Sequence, residues 1–351
     1  MGKGRKYAAL IITVSILLCA IMPVNVLGAE KKKDNNKNKN KDKVTTVTIS
    51  AAGDCTLGVD SRYNNRFNEY YSRNNSKYFF KNVKSVFEKD DITIVNFEGT
   101  LTTSNNRAQK KFTFKGPAKY TKILTEGSVE VVNLANNHTM DFGEQGFKDT
   151  KAALKKAKIA YSYGSEIAYK SVNGVKIAFI GFNELADISK KDIKKAIDTA
   201  KKADAQIIVT SFHWGIEREY YANSTQKSLG HYAIDQGATL VIGHHPHVLQ
   251  GIEKYNGRYI LYSMGNFCFG GNSNPSDKDT MIFQQTFYIK NGELTDKNDA
   301  KVLPCSLSGS SNTNTFQPKL LKGDERTRVI KKINKYSKGM NTRINSKGKL
   351  K

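Results

Sequence analysis

From Val44 onward, apolar runs of strand length alternate with stretches whose apolar residues recur every three or four positions. The strand-like runs are VTTVTISAAGD, DITIVNFEG, VEVVNLANNH, VKIAFIGFNE, AQIIVTSFHWG, ATLVIGHHPH and RYILYSMGNF. Helical spacing separates them over residues 79–89, 146–158, 189–203 and 226–236. Several runs are apolar on both faces, which predicts a sheet covered by helices or by a second sheet, hence a layered α/β fold. MIFQQTFYIKNGEL predicts a late hairpin turning at Asn291-Gly292. Near the end, GDERTRVIKKINKYS places Val329, Ile330, Ile333 and Tyr336 on one face of a helix.

The first 43 residues follow other rules. Lys3, Arg5 and Lys6 precede the apolar run YAALIITVSILLCAIM, and Gly28 and Ala29 follow it, as in an export signal. The stretch is also nearly long enough to span a bilayer, so a removed signal and a retained anchor both stay open. KKKDNNKNKNKDK has nothing to bury and predicts a disordered tether over residues 30–43. The expected layout is a signal or anchor at 1–29, this tether, one folded domain over 44–337 and a basic disordered tail over 338–351. An exported chain follows, anchored on the outer face of the membrane or secreted.

Charge changes the picture only at the ends. The net charge is +24, and residues 1–43 carry ten Lys/Arg against three Asp/Glu, residues 318–351 twelve against two. Basic ends suit an anionic polymer or a membrane surface, and export argues against nucleic acid. Beyond Cys19 the cysteines are Cys55, Cys268 and Cys305, an odd number without C-x-x-C spacing, so a disulfide scaffold is not expected. One bridge between Cys55 and Cys268 stays open.

The candidate chemistry lies where the apolar runs stop. Asp54 follows the first run, Asn96 and Glu98 the second, and Asn136, Asn137 and His138 the third. His213 closes the fifth, and His244, His245 and His247, half of the chain's six histidines, close the sixth. In layered α/β folds the carboxyl ends of strands share one edge, where ligands bind. Imidazole with carboxylate and carboxamide oxygens suits one or two divalent ions such as Mn, Zn or Fe, able to polarise a phosphoryl or acyl oxygen and to activate water. A further imidazole could pass a proton to a leaving group.

At these residues the chain resembles the CapA family of poly-gamma-glutamate capsule synthesis proteins, within the calcineurin-like metallophosphatase superfamily. The motifs run in order through GDCTLG, VNFEGTLT, FKGP, NLANNHTMDFGEQGF, SFHWGIEREY, VIGHHPHVLQG and LYSMGNF. The resemblance implies a single-domain α-β-β-α sandwich of four layers. It also implies Asp54, Glu98 and His247 at one metal ion and Asn137, His213 and His245 at another, with Glu98 between them. His138 takes the place of the catalytic histidine at the leaving group. Asn96, Asn136, His244 and Asn266 are left to support the ligands or face substrate. The superfamily opens with Asp-x-His, whereas this chain reads Asp54-Cys55-Thr56, one imidazole fewer, and Glu98 stands for the more usual aspartate.

Two functions remain in play from sequence. One is a capsule-assembly protein with a metal-dependent, hydrolase-like site, working beside other assembly proteins on an anionic polymer, either poly-gamma-glutamate or a cell-wall polymer. The other is a non-catalytic factor that holds or exports the polyanion. An exported metallophosphoesterase unrelated to capsule is a third outcome, since the fold alone does not carry an activity.

Overall fold

In the computed structural model, which describes residues 43–351, successive strand residues alternate between two cores. In Val175–Asn183, Ile177 and Phe179 share a central core with Val47, Ile49 and Ala51 of Val44–Thr56. Ala178, Ile180 and Phe182 face the other way, onto Ile193 and Ile197 of the helix Lys190–Lys202 and Leu229 and Ala233 of the helix Ser224–Gln236. Ala52, Val95 and Phe97 likewise turn outward, onto Phe79, Phe80, Phe87 and Leu154. Two sheets therefore face each other across one core, each covered outside by helices, so the fold is the expected α-β-β-α sandwich. Period-two alternation produces it, because each strand must bury both faces.

The first sheet runs in the order Lys319–Leu320, Glu293–Ser306, Asp279–Lys290, Val44–Thr56, Ile92–Phe97, Val131–Asn133 and Ala160–Ser162, with Asn266–Phe269 also paired to Val44–Thr56. The second runs Ile252–Tyr255, Arg258–Leu261, Leu240–His244, Ile207–His213, Val175–Asn183 and Ala168–Val172. Parallel pairing puts the polar strand ends in register. Asn266, Asp54, Asn96 and Asn133 form one row across the first sheet, and Asn183, His213 and His244 another across the second. Glycine permits the closest approaches: a Cβ on Gly53 would lie 1.9 Å from the Gly265 carbonyl oxygen, and one on Gly243 2.1 Å from that of Tyr262.

Several expectations change. The helical pattern over 79–89 is two short helices, Lys77–Phe80 and Lys84–Phe87, and the break lets Phe80, Val83 and Phe87 all reach the core. RYILYSMGNF is two strands in different sheets, because Gly265, at φ 69°, turns the chain across the sandwich. Residues 338–351 are not a loose tail. Met340 and Ile344 are buried, Asn334 exchanges two 2.8 Å hydrogen bonds with the Ile344 backbone, and the Leu350 amide donates to the Ala300 carbonyl oxygen at 3.0 Å. Those three apolar anchors are scattered among lysines, where charge counting hides them. Cys55, Cys268 and Cys305 are buried free thiols. The hairpin at Asn291-Gly292 forms, and the helix Gly323–Tyr336 buries Val329, Ile330 and Ile333, with Tyr336 only half-buried. The export segment and most of the tether lie outside the described residues. Among the described residues no helix is long and apolar enough to cross a membrane.

Candidate metal centre

The two polar rows meet at the carboxyl edge of the sandwich. Asp54 is held from its own backbone outward: its amide donates to the Gly265 carbonyl oxygen at 2.9 Å, and Asn96 Nδ2 donates to its Oδ1 at 2.9 Å. The same Asn96 nitrogen donates to Glu98 Oε1 at 3.1 Å, while Asn133 Nδ2 donates to Asn96 Oδ1 at 2.9 Å. Asn96 thus orients both carboxylates and is itself oriented by Asn133. His247 Nδ1 lies 3.2 Å from Asp54 Oδ2 and 2.9 Å from Asn266 Oδ1. Asp54, Glu98 and His247 bring three ligand-type atoms within 4.8 Å of one another.

On the second sheet, His213 Nε2 is 3.0 Å from Asn137 Oδ1 and its Nδ1 is 3.5 Å from Glu98 Oε1. The His213 and His245 ring centroids are 4.7 Å apart, those of His245 and His247 5.8 Å. His245 and His247 sit at φ 96° and 58°, a left-handed region that non-glycine residues enter at a cost. This lets two residues of one short loop point into a common space. His244 Nδ1 lies 3.1 Å from Asp54 Oδ1, although neither of its ring nitrogens has hydrogen-bonding geometry.

The charges follow from burial and proximity. Burial by itself would raise the Asp54 carboxyl, but the imidazoles of His244 and His247 hold it well below the ordinary carboxylate range. Glu98 is pushed up to about 8 by burial and then by the Asp54 charge. His247 is raised to about 9: burial opposes this, and the Glu98 and Asp54 carboxylates outweigh it. Burial and neighbouring imidazoles keep His213 low and bring His245 to about 4, so both offer neutral lone pairs.

The donor set fits a divalent cation. Among the described residues, the ion pairs of Asp54 and Glu98 are with imidazoles only. Among the described residues, Glu98 Oε2 and His245 Nδ1 are buried without a hydrogen-bond partner, a costly arrangement for groups withdrawn from water. Two acidic oxygens and several imidazoles facing one space are what Mn, Zn or Fe take as ligands.

His138 stands at the mouth. Its Nδ1 is 2.8 Å from Asp141 Oδ2, its amide donates to Asn136 Oδ1 at 3.0 Å, and Asn136 Nδ2 donates to the Phe97 carbonyl oxygen at 2.7 Å. Lys110 Nζ reaches Asp141 Oδ1 at 2.5 Å and the Asn137 carbonyl oxygen at 2.6 Å. The His138 ring packs on Phe114 at 4.5 Å, and burial lowers its pKa against the pull of Asp141. With Asp141 on Nδ1, Nε2 is the nitrogen left for a ligand.

Every residue singled out from sequence lies at this edge. The pattern of strand ends missed Asn133, Lys110, Asp141 and Glu217. Asp141 follows His138 by three positions, a spacing that could have flagged it. Lys110 and Glu217 sit on irregular segments, where no periodicity marks them.

Residues 48–271 match the family described as bacterial capsule synthesis protein PGA_cap, and that span contains all the residues from Asp54 to Asn266 that build the centre. The chain belongs to this family. It is 29% identical over 300 residues to the capsule biosynthesis protein CapA of Bacillus anthracis, covering 76% of this chain and 69% of that one. It is 34% identical over 247 residues to the PGA biosynthesis protein CapA of Bacillus subtilis (strain 168), covering 64% of this chain and 63% of that protein. A probable polyglutamine synthesis accessory protein of Mycobacterium tuberculosis (strain CDC 1551 / Oshkosh) is 27% identical over 208 residues, 50% of this chain and 55% of that one. The family relationship and the polar edge thus rest on the same stretch of chain.

Proposed function

We propose that this chain acts in the assembly of a poly-gamma-glutamate capsule, outside the cytoplasm and at the membrane surface, through a metal-dependent, hydrolase-like site. One observation supports it above the others: two buried carboxylates converge with His213, His245 and His247, and among the described residues they pair to no lysine or arginine and Glu98 Oε2 and His245 Nδ1 have no hydrogen-bond partner. Asp54, Glu98 and His247 would hold one cation, and Asn137, His213 and His245 a second with Glu98 shared. The cation would supply Lewis acidity toward a phosphoryl or gamma-glutamyl carbonyl oxygen. The chain's own groups do the rest. Asn96 keeps the carboxylates in place, and His138, oriented by Asp141, carries a proton at Nε2 to the departing group. The apolar segment near the N-terminus supports export. The basic ends support contact with anionic polymer or lipid, and with the other proteins that assemble the polymer.

A second reading, in which the same edge holds polyanion without reaction, is favoured by Thr56, which replaces an imidazole. Metal analysis of the purified protein, together with turnover of p-nitrophenyl phosphate and of gamma-linked polyglutamate, separates the two. Bound Mn, Zn or Fe and turnover lost in His138→Ala support the enzyme. A metal-bearing protein whose His138→Ala form still sustains polymer production in cells leaves only the holding role. A protein that binds no divalent metal removes the proposed site altogether.

A further inference from the structure

We propose that Glu217 is an additional carboxylate ligand of the metal centre, supplied by the turn after the His213 strand. The inference rests on the metal-dependent reading above. Glu217, His245 and His247 bring three ligand-type atoms within 4.8 Å of one another, a second such grouping that shares His247 with Asp54 and Glu98. Glu217 is the exposed member, and it has no Lys or Arg ion pair among the described residues.

A carboxylate near histidines is not by itself a site, and a further observation points to a ligand here. His245 is only 6% exposed, yet its Nδ1 has no hydrogen-bond partner among the described residues. The turn carrying Glu217 is also clasped to the histidine loop. The Arg218 amide donates to the Pro246 carbonyl oxygen at 2.8 Å, Gln250 Nε2 donates to the Glu219 carbonyl oxygen at 2.8 Å, and Arg218 is held at φ 65°. Left-handed backbone at Arg218, His245 and His247 on both sides of one clasp is strain held in place by the surrounding fold.

Thr56 gives the complementary observation. It is fully buried two residues after Asp54, and its Oγ1 has no hydrogen-bond partner among the described residues. A hydroxyl there cannot donate the neutral nitrogen that Asp-x-His would supply. A carboxylate entering from the mouth adds an oxygen ligand and a negative charge, which shifts preference toward an oxygen-seeking ion such as Mn²⁺.

The test measures metal binding directly on the full-length purified protein. Mn²⁺ is titrated with free ion followed by electron paramagnetic resonance, and bound metal per chain is measured after equilibrium dialysis. Glu217→Gln, which keeps size and removes charge, is expected to weaken Mn²⁺ binding at one site by at least about tenfold. Circular dichroism and thermal unfolding of the metal-free variant, unchanged from the parent, exclude misfolding as the cause. If the parent binds Mn²⁺ and Glu217→Gln binds it equally well with the same stoichiometry, the inference is overturned while the metal-dependent reading stands. If the parent binds no divalent ion, that reading itself fails.

Discussion

At the residue scale, the chemistry depends on how few groups orient the others. Asp141 receives His138 Nδ1, Lys110 Nζ and the Phe114 amide, the last two at 2.5 Å, while fully buried. Replacing Asp141 with Asn removes the charge and gives His138 a partner that can donate as well as accept, so the imidazole loses its enforced tautomer. On the proposed hydrolytic reading, turnover should fall by about two to four orders of magnitude, as expected when proton transfer is lost, while bound metal per chain stays constant. Steady-state kinetics beside metal analysis checks this, and an Asp141→Asn protein with parental kcat would exclude His138 as the proton carrier. The site also shows why residue types were readable when roles were not. Asp54, Glu98, His213 and His245 stand out as polar exceptions ending apolar runs, whereas Asn133 looks like one more strand residue until its amide is seen to hold Asn96.

At the scale of elements, the site depends on strands that nearly touch. Gly53→Ala would drive a Cβ into the Gly265 carbonyl oxygen and push Asn266–Phe269 away from Val44–Thr56, moving Asn266 and His247 with it. The expected outcome is a loss of stability of about 1–3 kcal/mol from overpacking, measured by urea unfolding, together with weakened metal binding. The helix Gly323–Tyr336 does a different job, closing the inter-sheet core with Val329, Ile330 and Ile333. Ile333→Ala should cost about 2–5 kcal/mol through the cavity it leaves, with an unchanged dependence on denaturant.

The same helix grips Asp279 through two Arg328 nitrogens at 2.7 and 2.8 Å and Lys332 Nζ at 2.8 Å. Burial would raise that carboxyl, but Arg328 and Lys332 hold it below its ordinary range. Its contribution is therefore complete at neutral pH and disappears as the pH falls through the lowered value. Asp279→Asn should be less stable than the parent by about 1–3 kcal/mol at pH 7, and the gap should close in acid. A gap that is constant with pH would mean that the ion pairs contribute nothing.

At the scale of the whole molecule, the centre is assembled from segments spread from Asp54 to Asn266, so a cation bound there ties the two sheets together. Anything that binds only the folded state stabilises it, by about 2.7 kcal/mol at a concentration one hundred times its Kd. Chelation should lower the melting temperature by several degrees, and Mn²⁺ should restore it; identical melting curves with and without chelator would show that no cation links the sheets. If the basic ends engage polyanion, binding of gamma-linked polyglutamate should weaken as salt rises, because screening shortens the reach of exposed charge. Binding indifferent to salt would contradict an electrostatic role.

The layered class, the long strands and several of the helices that cover them were readable because burying both faces of a strand leaves a period-two mark in the chain, and helices leave a longer period; the short helices Arg66–Asn74 and Thr121–Glu126 were not. Also readable were the ligand-type residues that end strands, since a polar residue that ends a buried strand needs a partner or a task, whereas Glu217, on an irregular turn, carried no such mark. Three things were decided only in three dimensions. Parallel register brought Asp54 beside Asn96 and His213 beside His244, because pairing depends on contacts far apart in sequence. RYILYSMGNF split between the two sheets because Gly265 turns it, although its hydropathy is continuous. Residues 338–351 folded onto the body because Met340, Ile344 and Leu350 find apolar neighbours there, which a count of lysines does not reveal. Local periodicity reports which residues want burial, and only the tertiary structure reports what they are buried against.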